Sequence, residues 1–109
     1  MKLLVTGGAG FIGSNFVKWV MENKNVESIK IFDSLTYASV GIKTVRDLGI
    51  EVIESDIRDI EALRKASRSS DTLIHFAAET HNDNSIERPV EFFETNVMGT
   101  INVAQVALE

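Results

Sequence analysis

The sequence predicts an α/β fold of the doubly wound kind, a four-stranded parallel sheet in the order 3-2-1-4 with helices on both faces. Three observations predict it. Short, continuous apolar runs alternate with longer stretches of helical period from one end of the chain to the other. A glycine-rich turn joins the first run to the first helical stretch, and a carboxylate closes the second run. Alternation of this kind, with right-handed crossovers, yields parallel strands covered on both sides.

Lys2 to Thr6, Ser28 to Phe32, Ile50 to Glu54 and Thr72 to Phe76 read as strands, rich in Leu, Ile, Val and Phe. Leu3-Leu4-Val5 is continuous rather than alternating, as a strand buried on both faces requires. Ile12, Phe16, Trp19 and Val20, widened by Val17 and Met21, form the apolar stripe of a well-buried first helix. Ile42, Val45 and Leu48 mark a second helix over Gly41 to Leu48, which Gly49 stops. Asp59 caps a third, with Ile60, Leu63 and Ala66 inward. A polar loop from Glu79 to Arg88 follows the fourth strand. Pro89 then opens the last helical region, whose predicted inward stripe is Val97, Ile101, Ala104 and Leu108. No linker or repeat divides residues 1–109, so one domain is expected.

Composition agrees with a single folded domain: 109 residues, 44% hydrophobic and 25% charged, with no cysteine and one proline. Disorder and a disulfide scaffold are excluded, as is a thiolate metal site. A net charge of −5 disfavours nonspecific binding to nucleic acid or to an anionic membrane. No run approaches the roughly 20 apolar residues of a membrane span, and no signal-peptide pattern opens the chain. The expected partner is a small molecule, and the expected compartment the cytoplasm.

Thr6-Gly7-Gly8-Ala9-Gly10-Phe11-Ile12-Gly13 follows the first strand and opens the first helix. Gly8, Gly10 and Gly13 fit G-x-G-x-x-G, while Gly7, Gly10 and Gly13 fit G-x-x-G-x-x-G. Under either spacing one glycine permits the tight turn, a second admits a pyrophosphate to the backbone, and Gly13 permits close helix packing. The anion then rests on the positive end of the helix. A nucleotide triphosphate loop is excluded, because no Lys followed by Ser or Thr stands at the helix start. Twenty residues past Gly13, Asp33 stands where a carboxylate accepts the two ribose hydroxyls of an adenosine and repels a 2′-phosphate, favouring NAD over NADP. Its alternative is a turn cap before Ser34. Asp56, followed by Ile57, is either an adenine contact or a helix cap.

His75-Phe76-Ala77-Ala78-Glu79-Thr80-His81 closes the fourth strand, where small Ala77 and Ala78 leave room for a ligand against the backbone. The two histidines lack metal-pair spacing, so no metal site is read, and His75 is expected to be a satisfied strand-end residue.

The tract Val5-Thr6-Gly7-Gly8-Ala9-Gly10-Phe11-Ile12-Gly13-Ser14 resembles the N-terminus of the extended short-chain dehydrogenase/reductases, a Rossmann-like family. Asp33-Ser34-Leu35-Thr36-Tyr37-Ala38, Asp56-Ile57-Arg58-Asp59, the stretch from Ala77 to Ile86, and Glu94-Thr95-Asn96-Val97-Met98-Gly99-Thr100 are similar to the dTDP-glucose 4,6-dehydratases among them. The resemblance runs nearly end to end, over the N-terminal cofactor-binding part of such enzymes. It implies NAD as cofactor, with Phe11 and Ile12 at the pyrophosphate, and Asp33, Ser34, Leu35 and Thr36 at the adenosine ribose. It further implies Asp56 and Ile57 at adenine, and Phe76, Ala77, Ala78, Glu79 and Thr80 on the nicotinamide side. Thr80 would also touch the sugar nucleotide, Thr95 would contact the cofactor, and Asn96 would help hold the active-site loop. Asn96 reads equally as a helix-bend residue.

Enzymes of that family pass a hydride from C4 of a nucleotide-linked glucose to NAD, eliminate water across C5 and C6, and return the hydride to C6. Their Tyr-x-x-x-Lys motif and their Thr-Asp-Glu group have no counterpart before Glu109; Tyr37 is the only tyrosine and no Lys lies four residues after it. No catalytic residue is therefore assigned, and the chain by itself is expected to be inactive, with weak affinity for NAD. The alternative is a structural module that binds no cofactor. A sheet ending at the fourth strand leads us to expect a homodimer or higher association through that strand or the last helix.

Overall fold

The computed structural model describes residues 1–78 and 86–109. Four strands, β1 (Lys2–Thr6), β2 (Ser28–Asp33), β3 (Glu51–Glu54) and β4 (Thr72–His75), form one sheet in the order β3-β2-β1-β4. Every pairing is parallel. Val5 faces Ile31 in β2 and Ile74 in β4, while Phe32 faces Ile53 in β3. This is the Rossmann-like order read from the sequence. Leu3, Leu4 and Val5 are buried from both sides, as their uninterrupted apolarity requires.

Alternate residues of the sheet serve two separate layers. Leu3, Val5, Ile29 and Ile31 meet Val17 and Val20 of α1 (Phe11–Asn23) and Val45 of α2 (Ile42–Asp47). Leu4 and Phe32 meet Leu63 and Ala66 of α3 (Ile60–Ser67) together with Val103 and Val106 of α5 (Gly99–Leu108). Between them run α4 (Pro89–Phe93), with proline in its first turn, and a π-helical turn over Glu94–Met98. The caps match their sequence signals. Asp59 accepts the Ala62 N–H at 3.1 Å, and Gly49 leaves α2 with φ +73°.

Two helix faces differ from the expected ones. In α1, Ile12 and Trp19 point outward, 68% and 51% exposed, and Met21 is exposed as well; the buried face is Gly13, Ser14, Val17 and Val20. Val17 and Val20 pack on the sheet, while Gly13 and Ser14 close the helix start against the glycine turn and Gly41, positions which a hydrophobic stripe does not count. In the last helical region Val97, Ile101, Ala104 and Leu108 are exposed, and Gly99, Val103 and Val106 are buried. α5 carries Ile101, Val103, Ala104, Val106, Ala107 and Leu108, apolar on nearly every face, so apolarity alone does not select the buried one, and the sheet takes the face of Gly99, Val103 and Val106. Among the described residues, no helix is long and apolar enough to cross a membrane.

Candidate functional site

The sheet's carboxyl edge carries the site, and the chain leaves β1 there through its glycines. Gly7 takes φ +68°, and a Cβ on it would stand 2.6 Å from the Ala77 nitrogen, so the turn and the segment after β4 touch backbone to backbone. A Cβ on Gly13 would stand 2.3 Å from the Gly7 carbonyl oxygen, so α1 begins directly against the turn rather than against the sheet. Gly7 and Gly13 are closed by backbone, and Gly10 is the more open position, with its nearest neighbour 3.3 Å from a would-be Cβ. Gly8 does not reach the cleft: its Cα lies against the side chain of Ile31, where a Cβ would come within 2.7 Å. Gly10 caps α1 with no side-chain bond to the first-turn N–H groups, and no acidic residue stands in that turn. This leaves a helix start suited to an anion.

Asp33 ends β2 buried against the turn. Its Oδ2 accepts the Ala9 N–H at 3.0 Å, and its Oδ1 accepts the Leu35 N–H at 2.8 Å and the Ser39 hydroxyl at 3.0 Å. The turn-cap reading of Asp33 is therefore correct as local structure, and it coexists with a carboxylate that faces the cleft. Leu35 takes φ +54°, unusual for a branched side chain, and bends away from the cleft wall, unlike Ser34 and Thr36. Gly41 completes the clamp by donating its N–H to the Ala9 carbonyl at 2.7 Å.

Asp56 is not a helix cap; Asp59 fills that role for α3. Instead Asp56 Oδ2 accepts from Arg58 Nη2 at 2.7 Å and Nε at 3.1 Å, and Oδ1 accepts the Arg58 backbone N–H at 2.9 Å. Burial works against its charge, and the Arg58 guanidinium and N–H overcome that penalty, holding Asp56 below its ordinary pKa. Ile57 beside it is buried, its side chain filling the space a Cβ on Gly99 would take, 2.5 Å from Cδ1. Asn102 donates to the Ile57 and Arg58 carbonyls at 3.0 and 3.2 Å.

After β4, Phe76 sets its ring edge-on to Phe16 of α1, with centroids 5.4 Å apart, and also borders the cleft with Ala77 and Ala78. His75 is satisfied at both nitrogens, as expected. The Thr100 hydroxyl donates to the Asn96 carbonyl at 2.7 Å, so it accepts from His75 Nε2 at 3.1 Å. The Ala77 N–H donates to Thr6 Oγ1 at 3.3 Å, and Thr6 Oγ1 shares a hydrogen bond of 2.6 Å with His75 Nδ1. His75 therefore carries a proton at Nε2, and burial lowers its pKa, favouring the neutral ring in which Nδ1 accepts from Thr6. Asn96 lies inside the π turn, and its carbonyl accepts the Thr100 hydroxyl. Among the described residues no cluster suits a metal ion.

These elements enclose a cleft of about 640 Å³. Gly7, Gly10, Phe11, Ile12, Gly13, Asp33, Ser34, Thr36, Asp56, Ile57, Phe76, Ala77, Ala78 and Thr95 all border it. Glu79 and Thr80 lie outside the described residues. Sequence reasoning missed Tyr37, Ser39, Arg58 and Glu91, which also border the cleft, and Asn102 and Gly99 behind it. The signal for Asn102 was an amide within an otherwise apolar helix; the signal for Arg58 was a cation two residues from a strand-end carboxylate.

The family model described as the NAD dependent epimerase/dehydratase family matches residues 3–109. The dTDP-glucose 4,6-dehydratase of Mycobacterium tuberculosis (strain ATCC 25618 / H37Rv) is 41% identical over 107 residues, which are 96% of this chain and 32% of that protein. The dTDP-glucose 4,6-dehydratase 1 of Escherichia coli (strain K12) is 42% identical over 112 residues, 98% of this chain and 31% of that protein. DesIV, a dTDP-glucose 4,6-dehydratase from Streptomyces venezuelae solved with NAD and TYD bound, superposes with a TM-score of 0.87 at 41% identity, over 99% of this chain and 36% of that one. The chain spans about a third of the length of the relatives it matches. A match over nearly every residue, joined to the sheet order and the glycine turn, establishes that the chain belongs to the NAD dependent epimerase/dehydratase family.

Proposed function

We propose that this chain is the NAD-binding portion of a nucleotide-sugar dehydratase resembling dTDP-glucose 4,6-dehydratase. The observation that carries the reading is the cleft itself, in which an anion-ready helix start, a strand-end carboxylate and a second carboxylate after β3 line one cavity. The residues fit the cofactor. The turn at Gly7, Gly10 and Gly13 leaves backbone surface that a Cβ would fill, as close approach of a pyrophosphate demands. Asp33 keeps acceptor capacity toward a ribose beside its three bonds within the protein, and its charge opposes a 2′-phosphate. Asp56 and Ile57 offer an acceptor and an apolar face to adenine, and Phe76 to Ala78 leave space for the nicotinamide end.

Bound NAD supplies a hydride acceptor and donor, and this chain's residues bind and orient it. The sequence holds no Tyr-x-x-x-Lys motif, so we assign it no catalytic residue and propose that the sugar substrate is handled by the complete enzyme. A structural module without cofactor is the second reading. It draws on Asp33, whose bonds to Ala9, Leu35 and Ser39 give it a purpose without any ligand.

An NAD titration followed by heteronuclear NMR separates the two. We expect saturable shifts over Gly7 to Gly13, Asp33 and Asp56, weaker with NADP. An absence of shifts at millimolar NAD leaves the structural module as the correct reading.

A further inference from the structure

Arg58 is the cation at the adenine end of the cleft, and its bonds are arranged unusually for a surface ion pair. Three donors from this one residue converge on Asp56: Nη2 and Nε both reach Oδ2, at 2.7 and 3.1 Å, and the backbone N–H reaches Oδ1 at 2.9 Å. Oδ2 is saturated by the guanidinium, whereas Oδ1 holds a single donor and keeps a free acceptor site. The fork itself is braced. Nη1 stands 3.6 Å from Glu94 Oε2 on the π turn, and the Arg58 carbonyl accepts from Asn102 of α5 at 3.2 Å. The carboxylate is therefore held in one orientation by a residue tied to two elements, and Oδ1 is the oxygen left with an acceptor site.

We propose that Arg58 is a positioning residue for base recognition, which holds Asp56 so that its Oδ1 accepts from the exocyclic amino group of adenine and rejects a base with an oxygen there. The proposal rests on reading the cleft as an NAD site. A freely rotating carboxylate at the same place turns away from an opposing carbonyl and discriminates little, whereas a locked one meets it lone pair to lone pair. Charge alone does not supply this effect, because it depends on the planar fork and not on a nearby cation.

Calorimetric titration of the chain with NAD and with nicotinamide hypoxanthine dinucleotide, which carries a carbonyl in place of the amino group, tests it. The wild type is expected to prefer NAD by about tenfold. In Arg58→Ala the preference falls to about twofold or less, mainly because the hypoxanthine dinucleotide gains affinity once the carboxylate can turn away, and Arg58→Lys, which keeps the charge and loses the fork, falls with it. Should Arg58→Ala fail to fold, Arg58→Lys carries the same comparison. Equal weakening toward both dinucleotides, an unchanged preference, or full rescue by lysine each overturns the proposal. A wild type that binds both dinucleotides equally overturns it while leaving the NAD site standing; one that binds neither removes the NAD reading and this proposal together.

Discussion

Asp33 holds the turn that it faces: its Oδ2 takes the Ala9 N–H at 3.0 Å across 24 residues of sequence, while Gly41 takes the carbonyl of the same residue at 2.7 Å. The Ala9 residue is thereby pinned at both its polar backbone groups, and the glycines on either side of it inherit its position. Replacing Asp33 by Ala strands the Ala9 N–H, the Leu35 N–H and the Ser39 hydroxyl together. We expect a loss of about 2–3 kcal/mol in urea unfolding, and a smaller loss for Asp33→Asn, which retains one acceptor oxygen. Equal stability of the wild type and Asp33→Ala would show that the clamp contributes nothing.

The relay through His75 makes stability depend on pH. Its pKa in the folded chain lies below the ordinary value near 6.5, so the unfolded chain binds the proton more readily. Stability contributed by the neutral ring is therefore complete above about pH 6.5 and is lost as the pH falls below it. Chemical unfolding measured between about pH 7.5 and 5.5 should show this decline in the wild type, and a shallower one in His75→Gln. Identical slopes in the two would remove His75 from the account. Nitrogen NMR should also show the ring protonated at Nε2 at neutral pH.

The glycines should separate by what surrounds them. Gly13→Ala drives a Cβ to 2.3 Å from a backbone oxygen, which cannot yield cheaply, and should cost about 3 kcal/mol or more. Gly49→Ala meets nothing within 4 Å and carries only the left-handed backbone penalty, about 1 kcal/mol. Gly99→Ala presses on Ile57 Cδ1 at 2.5 Å, a side chain that can move but borders the cleft, so its effect should appear in NAD affinity as well as in stability. Denaturant midpoints and NAD titrations of the three variants order them.

Phe93, Val97, Ile101 and Leu108 are all exposed along one helical region, and β4 lies at the sheet's edge. We expect this surface to self-associate, with light scattering reporting a mass that rises with concentration, and Ile101→Glu to return the chain to a monomer. A wild type that stays monomeric at high micromolar concentration counts against the expectation.

Strands and the glycine turn were legible because both have strong local causes. A strand buried on both faces needs an unbroken apolar run, and a turn closed to within 2.3 Å of a would-be Cβ needs glycine. The helix faces were less legible. In α1, apolar residues outnumber the positions that one face can hold, so Ile12 and Trp19 competed with Val17 and Val20, which made the contact with the sheet, while Gly13 and Ser14 closed on the turn. In α5 the apolar residues run round most of the helix, so Ile101 and Leu108 competed with Val103 and Val106 for the inward face. At the site, Asp33 and Asp56 were legible as carboxylates at strand ends. Their partners were not, because Ala9, Ser39 and Arg58 reach them through loop conformations that no periodicity encodes.

Leu3 and Leu4 are adjacent in sequence yet answer to different layers, Leu3 to α1 and α2, Leu4 to α3 and α5. β1, with β2 through Ile31 and Phe32, is thus a party wall: whatever loosens one layer is felt by the other through the rigidity of the shared sheet. Amide exchange along β1 should accordingly be slowest in the chain, reporting global opening, while each flanking layer exchanges by its own partial opening. The residues that anchor the glycine turn sit at the end of that wall, which places the cleft on the last part of the molecule to give way.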